Sequence, residues 1–208
     1  NDKKLIEKYQ SVNVQATLRL AEQAAADGVR RFIFISSIAV NGGQTFGNAY
    51  TEDDEARPVD HYAASKWEAE RGLVAIGAAT GMEIVILRPP LVYGRGAPGN
   101  FGRLLAIAKR GIWLPLGAVH NRRTVISLTN LVDLIALCAH HPAAANEVFL
   151  VGDAEDISTS ALLRLVAQAM GKKPRLLPIP PSILRFFALI FGKSSLVDKI
   201  CGDLQVDT

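Results

Sequence analysis

Two side chains in the stretch DHYAASKWEAE, residues 60 to 70, have types and spacing that suit proton transfer. Tyr62 and Lys66 are four residues apart, so on a helix the phenol and the amine share one face, a turn apart. A tyrosine hydroxyl titrates near ~10 and is a poor base at neutral pH. An ammonium within about 5 Å favours the phenolate, and such a group can take a proton from an alcohol. A Tyr-Lys spacing alone is weak, because chance supplies it in many chains. Ser37, 25 residues before Tyr62, strengthens it, because a serine hydroxyl bonded to the same substrate oxygen would fix its angle. The competing expectation is plain structure: Ser37 a strand-end hydroxyl on backbone, Tyr62 a half-buried helix residue, Lys66 a surface charge.

The surrounding pattern decides between them. RFIFIS at 31–36 and EIVILR at 83–88 are short apolar runs rich in β-formers, as in strands buried on both faces. Helical periodicity runs over 3–27, 60–79, 100–110, 130–140 and 159–170, with further strands at 123–128 and 147–151. Strand alternating with helix predicts an α/β doubly wound parallel sheet. Ligands of such sheets bind at the carboxyl ends of strands, where Ser36-Ser37 and RPPLVYG (88–94) fall. The last forty residues are apolar and punctuated by proline.

Bulk properties narrow the function. The 208 residues are 49% hydrophobic, enough for a core. A net charge of +3, from 23 Lys and Arg against 20 Asp and Glu, does not suggest a nucleic-acid binder. Arg30-Arg31, Arg122-Arg123 and Lys172-Lys173 are short clusters of the kind found on solvated surfaces. Cys138 and Cys201 are isolated in apolar settings and read as buried thiols of a reducing compartment, which points to the cytoplasm. The four His show no ligand spacing, so no metal is expected, and His140-His141 reads as a helix C-terminal cap. No apolar run reaches the ~18 residues of a membrane span. The nearest, ILRFFALIFG at 183–192, is expected to be a core-facing helix; a helix lying on a membrane or partner is the alternative.

Together, FIFISSIAVNG, HYAASKWEAE and ILRPPLVYGRG resemble the extended short-chain dehydrogenases/reductases of the NAD-dependent epimerase/dehydratase group. NVQATLRLAEQAAADGVRRFIFIS upstream and NRRTVISLTNLVDLI downstream extend the similarity over about 5–151. The resemblance implies a Rossmann-like fold, NAD as cofactor and a catalytic set of Ser37, Tyr62 and Lys66. Lys66 would also hold the nicotinamide ribose, and Ser36, Pro89 and Pro90 would line the cofactor. Asn100 and Arg123 would contact the phosphates of a nucleotide-diphosphate sugar. Arg122 is adjacent, Asn100 could equally be a helix N-cap, and either arginine a surface charge.

The implied activity is epimerisation of a nucleotide sugar, UDP-linked, through transient oxidation at C4. A 4-keto-sugar reductase, a 3β-hydroxysteroid-type dehydrogenase and a non-catalytic cofactor-binding relative stand as rivals. Asn41, Ala16 and Ser127 replace the usual tyrosine, glycine and histidine, and Leu91 replaces the asparagine of UDP-galactose epimerases. No Gly-x-x-Gly-x-x-Gly phosphate turn precedes the serine strand, where the resemblance implies one, so an incomplete copy is expected. The dinucleotide-binding remainder would be 1–92 and 123–151, with an interleaved substrate region at 93–122 and 152–208. By analogy a homodimer would form through the helices carrying Tyr62 and Asn13.

Overall fold

The computed structural model describes residues 2–96, 100–192 and 194–207. Strands β1 (Arg31–Ile35), β2 (Glu83–Arg88) and β5 (Val148–Leu150) form a parallel sheet in the order β1-β2-β5. Arg31 stands opposite Glu83 and Ile35 opposite Leu87. Successive strand residues point to opposite faces, and both faces are covered. Phe34, Ile84 and Ile86 pack with Ala21, Ala69 and Leu73 of the helices on one side. On the other side Val85 and Leu87 pack with Leu131 and Cys138. This double burial is why the strands carry continuous apolar runs, and it gives the expected α/β layering.

The first helical region, expected as one element over 3–27, is α1 (Asp2–Tyr9), a π turn (Gln10–Gln15) and α2 (Ala16–Ala26). Helix α3 (His61–Thr80) carries Tyr62 and Lys66. Its start is set by Asp60, whose carboxylate accepts the Ala63 N–H at 2.9 Å and pairs with Lys199 at 2.9 Å. Its end is set by Gly81 at φ 78°, a left-handed cap that costs glycine little. Gly72 lets α2 approach: a Cβ there would meet Leu18 at 2.6 Å.

After Pro89-Pro90 the chain forms β3 (Leu91–Tyr93), which pairs in parallel with β4 (Val125–Ser127) as a separate small sheet. The sequence reading had ended regular structure at the prolines; it missed β3 because three residues carry too little pattern. Helix α4 (Asn100–Arg110) packs on α6 (Thr159–Ala169) around Phe101 and Val166. Helix α5 (Leu128–His140) is capped by Ser127, which accepts the Asn130 N–H at 3.0 Å. The Arg31 guanidinium closes its far end by donating to the Cys138 and His141 carbonyls at 2.5 and 2.8 Å, while the His141 side chain caps the next turn by accepting the Ala143 N–H at 3.3 Å.

Helices α7 (Pro181–Ile190) and α8 (Ser194–Cys201) complete the order. The expectation of a core-facing α7 is corrected here. Ala188 is buried, but Ile183, Phe186, Phe187, Leu189 and Ile190 are exposed. Helical periodicity reports one chain's own apolar residues, not what stands opposite them. No described helix is long and apolar enough to cross a membrane. Cys138 and Cys201 are buried free thiols.

Burial works to raise the Asp60 pKa, but the Ala63 N–H and Lys199 outweigh it, so the value falls below 3.8. A depressed carboxylate contributes stability that is present above the unfolded pKa and lost as pH falls through the folded one. Asp60→Ala should therefore cost about 1 kcal/mol at neutral pH, with the gap to wild type closing on acidification below pH ~4. Urea unfolding across that range reads the difference.

Candidate active site

Because β1 and β2 are parallel and in register, both carboxyl ends emerge side by side. Ser36 N–H donates to the Leu87 carbonyl at 2.7 Å and Ile38 N–H to that of Pro89 at 3.1 Å. Ser37 sits at this seam, capping a short 3-10 turn by accepting the Ala39 N–H at 3.2 Å. Helix α3 runs against the same seam and presents Tyr62, Lys66 and Glu70, four residues apart, on one face.

Ser37 and Tyr62 are brought together. Burial pushes the Tyr62 phenol above its ordinary 10.0; the nearby Ser37 hydroxyl pulls it back in part, and Tyr9 and Asp60 add to the rise. The Tyr9 and Tyr62 rings meet edge to face at 5.7 Å. Lys66 is on the same face, yet its amine donates to the Ile35 carbonyl at 2.9 Å and lies 4.5 Å from the Phe34 ring centroid. Burial lowers its pKa from 10.5, against a rise from Glu70. Desolvation dominates both groups, and among the neighbours of Tyr62 in this chain Ser37 is the one that favours the phenolate.

Beneath these three lies a buried network that sequence reasoning did not single out. Glu70 is 1% exposed and Arg88 4%. They pair through two bonds, Nη2 to Oε2 at 2.6 Å and Nε to Oε1 at 3.1 Å. Ser36 donates its hydroxyl to Glu70 Oε1, and Arg88 Nη1 donates to Asn41 Oδ1 at 3.0 Å. The Ser36 hydroxyl therefore faces inward, onto the Glu70 carboxylate. Asn41, noted only as a departure from tyrosine, is fully buried as an acceptor for Arg88. The available signal was Glu70 one turn beyond Lys66, and an arginine inside an otherwise apolar strand. The π turn adds Asn13, which donates to Ser65 Oγ at 3.0 Å, while Ser65 donates to the Tyr62 carbonyl at 2.8 Å.

The remaining expected residues divide between the seam and the end of α8. Pro89 and Pro90 are buried at the seam. Arg123 Nη1 donates to the Lys199 and Gly202 carbonyls at 2.9 and 3.1 Å. These contacts secure the end of α8, whose Lys199 also pairs with Asp60 at the start of α3. Arg122 is exposed, with its N–H on Asp203 at 2.7 Å. The Asn100 side chain lies outside the described residues. Tyr93, from RPPLVYG, donates to Asp153 at 2.8 Å, which also accepts from Asn130 Nδ2 at 2.8 Å.

Removing one member of a buried charge pair leaves the other uncompensated. Glu70→Ala should cost about 3–5 kcal/mol, whereas the paired change Glu70→Leu with Arg88→Met should recover most of it. Chemical denaturation of both variants beside the wild type tests this, and equal losses in the two would refute it. Ser37→Ala should move the Tyr62 phenol further up in pH, seen as difference absorbance against Tyr62→Phe.

The model of the family described as "NAD dependent epimerase/dehydratase family" matches residues 2–152. The chain is 47% identical to a UDP-glucose 4-epimerase of Vibrio cholerae, over 96% of this chain and 61% of the relative. It is 32% identical to the N-acetyl-α-D-glucosaminyl-diphospho-ditrans,octacis-undecaprenol 4-epimerase of Escherichia coli O157:H7, over 96% and 64%. It thus spans about three fifths of these curated relatives. A UDP-glucose 4-epimerase structure from Thermus thermophilus, in complex with NAD, superposes with a TM-score of 0.69. That match has 26% identity and covers 92% of this chain and 70% of the other. On the family match over residues 2–152 and the 47% identity, the chain belongs to the NAD-dependent epimerase/dehydratase family.

Proposed function

We propose that this chain forms the catalytic and sugar-facing part of a cytoplasmic nucleotide-sugar epimerase, acting on a UDP-linked sugar at C4. The observation that carries the reading is the convergence of Ser37 and Tyr62 at a strand seam, with Lys66 held one turn along the same helix. The 47% identity to a UDP-glucose 4-epimerase supports the epimerase over a one-way reductase. The two buried thiols favour a reducing compartment.

NAD fits the donor set on this side. An ammonium has three donors, and Lys66 uses one on Ile35, which suits the remainder to ribose hydroxyls. NAD held there would supply a reversible hydride acceptor for the sugar carbon. Tyr62 takes the proton of the 4-hydroxyl as that C–H bond breaks, leaving a carbonyl. Ser37 holds the same oxygen and fixes the angle of approach. After the sugar turns its other face, Tyr62 gives the proton back as the C–H bond re-forms, so the configuration inverts without net redox change. The desolvated phenol is protonated at neutral pH, ready for the donating half. In the accepting half the same desolvation amplifies the effect of a positive charge brought near.

Arg123 or Arg122 and Asn100 would serve the phosphates, an assignment that requires the Arg123 side chain to leave its two carbonyls. Packing of α4 on α6 supports an interleaved substrate region. Exposed Leu5, Val12 and Leu20 on the first helical region, with Val74 on α3, support a homodimer through these helices.

In a protein that also carries a glycine-rich phosphate-binding half, Tyr62→Phe should lower turnover of a UDP-hexose by about 10²- to 10⁴-fold with NAD binding retained. Persistent activity would remove Tyr62 from the role of base. Turnover without added NADPH separates the epimerase from the reductase.

A further inference from the structure

We propose that the face built by α7 and the seam beside it docks on an anionic membrane surface. The modest net charge conceals a strong segregation. Segments 93–122 and 157–197 contain eleven Lys and Arg and no Asp or Glu. The rest of the chain holds twelve basic against twenty acidic residues. The basic segments are joined: Leu114 bridges Leu176, Lys172 Nζ donates to the Lys109 carbonyl at 2.6 Å, and Arg175 Nη1 to that of Gly111 at 2.8 Å. Lys109, Arg110, Lys172, Lys173 and Arg175 are all exposed there. Trp113 and Leu177 are exposed on the same seam. From Leu177 to the start of α7 is no more than about 15 Å of chain.

Helix α7 is apolar nearly all round. Pro181, Leu184 and Ala188 lie on its less accessible side. At 100° per residue, Ile183, Phe186, Phe187 and Ile190 lie opposite, and Phe186 and Ile190 are each 61% exposed. Ten residues are too few to span a bilayer, so the helix would lie in the interface plane with these side chains among the acyl chains. Lysines and arginines beside it would then meet anionic headgroups, their stems along the apolar surface. A second copy is disfavoured as occupant, since it would set one predominantly basic face against another, with Asp198 beside Arg185 at 3.5 Å. A half-immersed helix also satisfies the exposed residues on both flanks, where a flat protein surface covers one.

Co-sedimentation of the full chain with phosphatidylcholine vesicles, with and without phosphatidylglycerol, tests the docking. Binding should require phosphatidylglycerol and weaken in high salt. Lys172→Glu with Lys173→Glu should weaken it by about tenfold or more, and Phe186→Ser with Phe187→Ser should abolish it. Lys3→Glu with Lys4→Glu, on α1, should change little. All these positions are exposed, and circular dichroism confirms that each variant folds. Absence of binding to phosphatidylglycerol vesicles would overturn the proposal, as would wild-type binding by the α7 and seam variants. So would a self-associated chain that the phenylalanine changes turn into monomers.

Discussion

The paired bonds between Glu70 and Arg88 govern the geometry of everything above them. Burying two charges costs several kcal/mol each after relaxation, so such a pair persists only where each polar atom is engaged. That condition is met: Ser36 and Asn41 take positions on the carboxylate and the guanidinium, and among the described residues no buried side-chain nitrogen or oxygen lacks a partner. A two-point fork resists rotation in a way that a single contact does not. Here it joins α3 to β2 and, through Ser36, to the end of β1. The roll of α3 about its axis is thereby fixed, and with it the direction in which Tyr62 and Lys66 leave the helix.

The sheet and most helices were legible because their cause is local. Strands covered on both faces need unbroken apolar runs, and RFIFIS and EIVILR are such runs. Helices α3, α5 and α6 carry their own caps in Asp60, Ser127 and Ser158. The pairing of Ser37 with Tyr62 was legible because both fall where a parallel sheet must present its ends. What escaped depends on partners distant in sequence. The inward turn of Ser36 requires Glu70 and Arg88; the engagement of Arg123 requires the end of α8. The outward apolar side of α7 was misread because its residues are those of a core helix, and only the three-dimensional layout shows that nothing among the described residues covers them.

The ionisation of the site follows from burial more than from pairing. Tyr62 and Lys66 are both driven toward their neutral forms, one up and one down. A neutral phenol is a competent proton donor. Its conversion to a proton acceptor needs an added positive neighbour, which makes the basicity of the site conditional on what it holds.

The π turn at Gln10–Gln15 has a consequence for how this helix can vary. It places one more residue in a turn than the regular 3.6, so the segments on either side are out of phase by the angle that residue occupies, about 100°. Both segments nevertheless reach α3, Tyr9 through the Tyr62 ring and Asn13 through Ser65. A one-residue deletion would relax the backbone to ordinary helix but swing the preceding turns away from Tyr62. Length drift among related chains is therefore constrained here more tightly than residue identity, a restriction set by helical phase and not by any single contact.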